Sequence, residues 1–204
     1  MNQQDQTYID TIKEQVASGM YDKLFGNRRD LVFLDIGANI GIVSIYAVPY
    51  CKRIVAVEPS PSTYKTLVDN TRNYPIIECL QVALTPTDGP QRFFVNDLNF
   101  TASSTVNTYG TQTTVSGVTL SMLLDGNDLD HIHVCKCDCE GAEGDALNYD
   151  QLYQAKDTID TWFIETHNCP TTTWEHKLGT IVGNLARCGY HKQTIDGMSI
   201  TASK

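Results

Sequence analysis

The sequence has no apolar run near the roughly 20 residues that a helix needs to cross a bilayer, which excludes a helical membrane span. Its first ten residues, MNQQDQTYID, lack the basic start and apolar core of a signal peptide, so an intracellular, cytoplasmic protein is expected. Positive charge is scarce. Fifteen Lys plus Arg stand against 24 Asp plus Glu, a formal net charge of -9, and no basic run exceeds the pair Arg28-Arg29. Phosphate backbones are bound by concentrated positive charge, so neither a nucleic-acid nor a membrane partner is expected. The seven cysteines form no Cys-x-x-Cys pair, and Cys135, Cys137 and Cys139 alternate at the strand period. That spacing places them on one side of a strand and favours reduced thiols serving as small apolar residues over a zinc site. Internal repeats and low-complexity tracts are also missing.

What remains is 204 residues with 41% hydrophobic and 19% charged content, enough for one globular domain with a full core. The expected organisation is a single domain over 1–204, with an N-terminal helix inside 1–29 and a polar insert over 91–120. The organising stretch is Leu31 to Gly41, LVFLDIGANIG. A short apolar strand ends in Asp35 and turns through Gly37, Ala38, Asn39 and Gly41 into a helical pattern. Strands that turn through glycines into a helix bring backbone close to nucleotide-like ligands. Glu58 closes the next apolar run, RIVAVEP, 21 residues after Gly37. An acid at that distance holds the two hydroxyls of a ribose in such folds, so an adenosine-bearing cofactor is expected.

The rest of the pattern alternates strand and helix. Ile9, Ile12, Val16, Met20 and Leu24 predict an amphipathic helix over Tyr8 to Phe25. A helix over Ile42 to Tyr50, a strand over Ile54 to Val57 and a helix from Ser62 to about Tyr74 follow. A third strand is predicted over Ile76 to Leu84. The insert reads as a strand at Arg92 to Val95, a polar loop from Asn96 to Gly110 and a strand over Thr113 to Leu120. Asn99, Thr101, Ser103 and Ser104 give that loop many hydrogen-bonding groups, and long loops beside such pockets carry function. Strands over Ile132 to Cys137 and Thr158 to Thr166 are each followed by a helix, from Glu143 to about Asp150 and from Thr172 to Cys188. A hairpin turned at Asp196-Gly197 ends the chain. This is a doubly wound, mostly parallel α/β sheet, with ligands at the carboxyl ends of its strands. Asp35, Glu58, Asp138, Glu140, Glu165 and His167 all fall at such ends, which argues that they share one site.

DIGANIG at 35–41, VAVEP at 55–59, the Asn99 to Ser104 loop, KCDCEGAE at 136–143 and FIETH at 163–167 together resemble the FkbM-type S-adenosylmethionine-dependent methyltransferases. The order and spacing of five motifs carry the resemblance; each alone is common. Two positions depart from the pattern, Cys139 where an aliphatic residue is usual and Ser121 where an acid is common. The resemblance implies a seven-stranded class I methyltransferase sheet, Rossmann-like, with its last strand antiparallel. It also implies methyl transfer from S-adenosylmethionine to a hydroxyl on a sugar or other small metabolite. The partner expected is therefore a small hydroxylated substrate.

On this reading Asp35 lies near the methionine ammonium or fixes the glycine turn, and Gly37 and Gly41 admit the cofactor with Asn39 shaping the turn. Glu58 accepts the ribose hydroxyls, and Ala83 lines the adenine. Asp138 faces the methyl group, where it attracts the sulfonium or orients the acceptor. Glu140 and Glu165 flank it. His167 is the candidate general base, because imidazole titrates near neutral pH. Glu143 is read equally as a first-turn helix acid. The acids are also able to hold a divalent cation, although no metal is predicted. Two rivals remain at this stage. A nicotinamide-dependent oxidoreductase would carry Gly-x-Gly-x-x-Gly, which is absent here, and a non-catalytic module would keep the cofactor pocket alone.

Overall fold

The computed structural model describes residues 10, 14, 17, 19, 21–95, 103–106 and 110–204. Strand β1 (Leu31–Ile36) is apolar on both faces, as a central parallel strand must be, and it divides the core in two. Leu31 and Phe33 point to one face, where Tyr21, Leu24 and Phe25 pack. Leu34 and Ile36 point to the other, with Val55, Val57, Cys135, Cys137 and Trp162. The residues at both faces follow the two-residue strand period.

Around β1 lie β2 (Cys51–Val57), β3 (Ile77–Leu80), β7 (Val134–Asp138), β8 (Thr161–Glu165), β9 (Lys192–Asp196) and β10 (Ser199–Ser203). Their order is β3-β2-β1-β7-β8-β10-β9, with β10 antiparallel to both neighbours. The chain leaves β1 toward β2 on one side and later returns as β7 on the other. The glycine turn thus sits at the point where strand order reverses, which is where ligands bind in such sheets. The first face is covered by α1 (Asp22–Phe25) and α2 (Ile42–Ala47), while α3 (Pro61–Thr71) seats Leu67 on Ala38 and Ala56. The second is covered by α4 (Leu120–Asp125), α6 (Tyr149–Ala155) and α7 (Trp174–Arg187), and short α5 (Glu143–Ala146) follows β7. Among the described residues, no helix is long and apolar enough to cross a membrane. All seven cysteines are free.

Several boundaries differ from expectation for physical reasons. The predicted third strand is two strands: β3 joins the main sheet, whereas β4 (Ala83–Leu84) pairs with the insert. The insert is a three-stranded sheet, with β6 (Thr111–Val118) between β4 and antiparallel β5 (Gly89–Val95). Helix α4 was not anticipated. Thr119 ends β6 and caps α4, its hydroxyl accepting from the Met122 N–H at 3.2 Å, and Leu120, Leu123 and Leu124 then pack inward. The helix predicted from Glu143 breaks at Leu147, and Asn148 restarts it by accepting from the Gln151 N–H. In the N-terminal helix, Asp10, Glu14 and Ala17 are helical, but Gly19 turns the chain at φ +77° before α1. Ile9, Ile12, Val16 and Met20 lie outside the described residues, as do Asn99 and Thr101 of the insert. The terminal hairpin forms with Gly197-Met198 as its central pair, Gly197 taking the positive φ that the tight turn requires.

Candidate active site

The turn after β1 is built from three left-handed residues, Gly37 (φ +77°), Asn39 (φ +51°) and Gly41 (φ +90°). The Gly37 and Ala38 N–H groups both donate to the Val57 carbonyl at 2.9 Å, which ties the turn to the end of β2. A Cβ on Gly37 would lie 1.7 Å from the Asp138 carbonyl oxygen, so the turn and the end of β7 touch backbone to backbone. Only glycine permits both that approach and the conformation. Asn39 stabilises its own left-handed backbone, its Oδ1 accepting from the Ile40 N–H at 2.8 Å.

Glu58 is oriented by this turn. Its Oε2 accepts from the Asn39 N–H at 3.1 Å and its Oε1 from the Ser60 N–H at 2.9 Å. Each oxygen keeps a second lone pair. Burial pushes the carboxyl up to about 7, against the pull of those two N–H groups. Glu58 and Gly37 line a cleft of about 580 Å³, its open mouth included, at the carboxyl ends of β1, β2 and β7. Val82, Ala83, Leu84 and Phe93 form an apolar wall, Ser103 and Thr105 a polar rim, and Asp138 and Glu140 one end. The cleft stands at the carboxyl ends of the parallel strands, where doubly wound sheets bind ligands.

His167, just past β8, meets four carboxylates. Its Nδ1 lies 3.2 Å from Glu143 Oε1 and 3.8 Å from Asp138 Oδ1, and its Nε2 lies 3.8 Å from Glu165 and 4.0 Å from Glu140. Burial opposes a charge on the ring, but the hydrogen bond to Glu143 and the charges of Glu140 and Asp138 outweigh it and raise the imidazole to about 9. The ring is therefore charged at neutral pH in this state, which is not the condition of a free general base. The acids respond in kind. Burial, then the Asp138 charge, raises Glu140 to about 8, and the same causes raise Glu165.

The structure thus brings Asp138, Glu140, Glu165 and His167 together, and Asp138 joins them to the cleft that Gly37, Asn39, Glu58 and Ala83 line. Asp35 is placed differently. It is fully buried behind the turn, where its Oδ2 accepts from the Ser44 hydroxyl at 2.6 Å and its Oδ1 lies 3.6 Å from Lys136 Nζ. Gly41 stands away from the cleft, facing Leu67 and Thr71 of α3.

Lys136 and Lys177 escaped the sequence reading, and Glu143, which it left open between a helix acid and a site acid, is now placed. Lys136 carries a buried ammonium 3.2 Å from Asp138 Oδ2 and donates to the Gly37 carbonyl at 3.3 Å, so one cation serves three parts of the site. A lysine inside the apolar run of β7 was the available signal. Glu143 is fully buried, and its Oε1 accepts from the Cys139 and Gly141 N–H groups, so it shapes the loop after β7 instead of facing solvent. Lys177 of α7 buries its ammonium against the Gly141 and His167 carbonyls, pinning the loops after β7 and β8 to each other. Amphipathic spacing gave no hint of it. Lys177→Met leaves both carbonyls short of a donor, and a cost of about 2–3 kcal/mol is expected in denaturant unfolding. A change below about 0.5 kcal/mol, the scale of an ordinary surface substitution, would show that the ammonium pins nothing.

The strand order, the antiparallel β10 and a cleft at the switch point define the class I methyltransferase fold. The FkbM methyltransferase domain model matches residues 35–192, and the chain belongs to that family. Similar solved structures agree on the fold. A methyltransferase FkbM from Methylobacillus flagellatus is 15% identical with a TM-score of 0.58; the match covers 86% of this chain but 44% of that one. Precorrin-6y C5,15-methyltransferase from Geobacter metallireducens is 16% identical with a TM-score of 0.55, over 93% and 89% of the two chains. Aeropyrum pernix fibrillarin, solved with natively bound S-adenosyl-L-methionine, is 11% identical with a TM-score of 0.53, over 92% and 74%. No curated protein matches the sequence.

Proposed function

We propose that this chain binds S-adenosylmethionine and methylates a hydroxyl on a sugar or other small metabolite. The observation that carries the reading is the Glu58 carboxylate, held with lone pairs to spare by backbone N–H groups, one of them in the turn where position 37 admits only glycine. The residues present suit the cofactor. Glu58 accepts the ribose hydroxyls, the Ala83 wall covers the adenine, and the Gly37 backbone lies close to the aminoacyl end. Asp35, with Ser44 and Lys136, holds the turn from behind. Bound S-adenosylmethionine supplies an electrophilic methyl group on a sulfonium.

The chain supplies position and charge. Asp138 and Glu140 close the end of the cleft, where the carboxylates of the cluster take up the acceptor's proton while Glu165 and the charged His167 orient it. Most of the rate then comes from holding the acceptor oxygen in line with the methyl group. The polar rim of Ser103 and Thr105, with the net charge of -9, favours a small hydroxylated acceptor over a polyanion. Calorimetric titration with S-adenosylhomocysteine beside NADH tests the reading. One site for the first and none for the second is expected. Binding of NADH alone would replace the methyltransferase with an oxidoreductase.

A further inference from the structure

The acid–histidine cluster has a feature that proton uptake alone leaves unexplained: its donors come from two separate loops and converge on one small space. Asp138, Glu140 and His167 each offer one ligand atom, and the three atoms lie within 4.8 Å of one another. Bonds of about 2.0–2.2 Å to nitrogen and oxygen put donors on one cation about 3–4.2 Å apart, so side-chain adjustments on the order of an ångström bring the three onto it. Glu165 Oε1, 3.8 Å from His167 Nε2, stands ready as a fourth donor.

The orientation of the ring fits a ligand. Glu143 engages Nδ1 at 3.2 Å, which leaves Nε2 turned toward Glu140 and Glu165. A carboxylate on the far nitrogen of a metal-binding histidine is the usual arrangement, because it fixes ring angle and tautomer together. Independently, two carboxylate oxygens here are buried and lack a hydrogen-bond partner: Asp138 Oδ1, which faces His167, and Oε2 of the fully buried Glu143. Lys136 Nζ lies 3.2 Å from the other oxygen of Asp138, Oδ2. With all four carboxylates ionised, Lys136 and the ring would leave negative charge in excess, and a cation offsets the burial and repulsion that push the Glu140 and Glu165 carboxyls up.

We propose that Asp138, Glu140 and His167, with Glu165 beside them, bind a divalent cation at the end of the cleft, where it would hold and polarise the acceptor hydroxyl. Its role rests on the methyltransferase reading; its binding does not. A set of carboxylates with one imidazole suits Mn²⁺ or Zn²⁺. At the cleft end the ion acts as a Lewis acid on the acceptor oxygen.

The test is metal binding by the full chain without substrate. Mn²⁺ is titrated with free ion read by electron paramagnetic resonance, and Zn²⁺ by equilibrium dialysis, on the wild type, Glu140→Gln and His167→Gln. Circular dichroism checks folding, and S-adenosylhomocysteine calorimetry runs on the same samples. Expected are one ion per chain and a loss of at least tenfold in affinity in either folded variant, with S-adenosylhomocysteine still bound. No binding of either ion at millimolar concentration, or binding unchanged in both variants, overturns the site and leaves the imidazolium clasped by carboxylates as its occupant. Failure of S-adenosylhomocysteine binding in a wild type that takes up the ion would instead strike the methyltransferase reading.

Discussion

Gly37→Ala is expected to unfold or nearly unfold the cofactor end of the molecule. The new Cβ would meet the Asp138 carbonyl oxygen at 1.7 Å, and that oxygen belongs to a central strand that cannot yield. The substitution also places a side chain at φ +77°. The left-handed conformation costs about 1–2 kcal/mol and forced overpacking about 1–3 kcal/mol, so a loss of about 2–5 kcal/mol follows, toward the upper end because the clash is with backbone. Denaturant unfolding measures it, with S-adenosylhomocysteine titration on whatever remains folded. Gly41→Ala is the internal comparison. Its Cβ would meet Leu67 Cδ1 at 2.7 Å, the far end of a flexible side chain instead of backbone, and a smaller loss is expected. Equal losses at the two positions would mean that the contact between the β1 turn and β7 is not the constraint described here.

The second large effect belongs to Glu58. On the proposed reading, replacing it with Gln removes the charge that would accept the ribose hydroxyls and leaves one oxygen where there were two. Loss of charge-assisted hydrogen bonds worth about 2–4 kcal/mol weakens S-adenosylhomocysteine roughly 30- to 700-fold. A pH dependence accompanies it. Burial raises the folded-state carboxyl from 4.5 to about 7, whereas the ligand requires the ionised form. Affinity should therefore rise as pH increases toward 7 and level off above it, with proton release on binding below 7. Calorimetry in buffers of different ionisation enthalpy measures that proton. The sign for folding is opposite. A raised carboxyl favours the folded state fully below its unfolded value, and that contribution is lost as pH rises through about 7. Glu58→Gln should flatten both slopes. A wild-type affinity independent of pH from 5.5 to 8 would show that Glu58 is ionised throughout or does not meet the ligand.

The cofactor half of the site was legible because its chemistry is local. A tight turn that brings backbone to a ligand needs Gly37 and Gly41 close in sequence, and the 21-residue step to Glu58 is the length of one helix and one strand. The acid–histidine cluster was legible only in part. Asp138, Glu140, Glu165 and His167 announce themselves as polar residues at strand ends, but nothing in the spacing says that one ring would meet four carboxylates. Its charged state follows from that crowding, which no window of sequence contains. Lys136 was passed over and Glu143 left open for a related reason, since burial of a charge becomes favourable only when partners from other elements arrive. The split of the third strand was hidden as well. Ile76 to Leu84 is continuous in pattern, and only the presence of β6 draws Ala83–Leu84 away into a second sheet.

The sequence by itself determined the strand and helix alternation, the glycine turn, the acid that follows β2 and the family, because each is written in residue types at fixed short separations. The tertiary structure alone decided that Gly37 rests on Asp138, that Lys136 and Lys177 tie three loops together, and that His167 sits among acids. Those facts join residues from about 10 to 100 positions apart, and only the closing of the sheet brings them within a few ångströms.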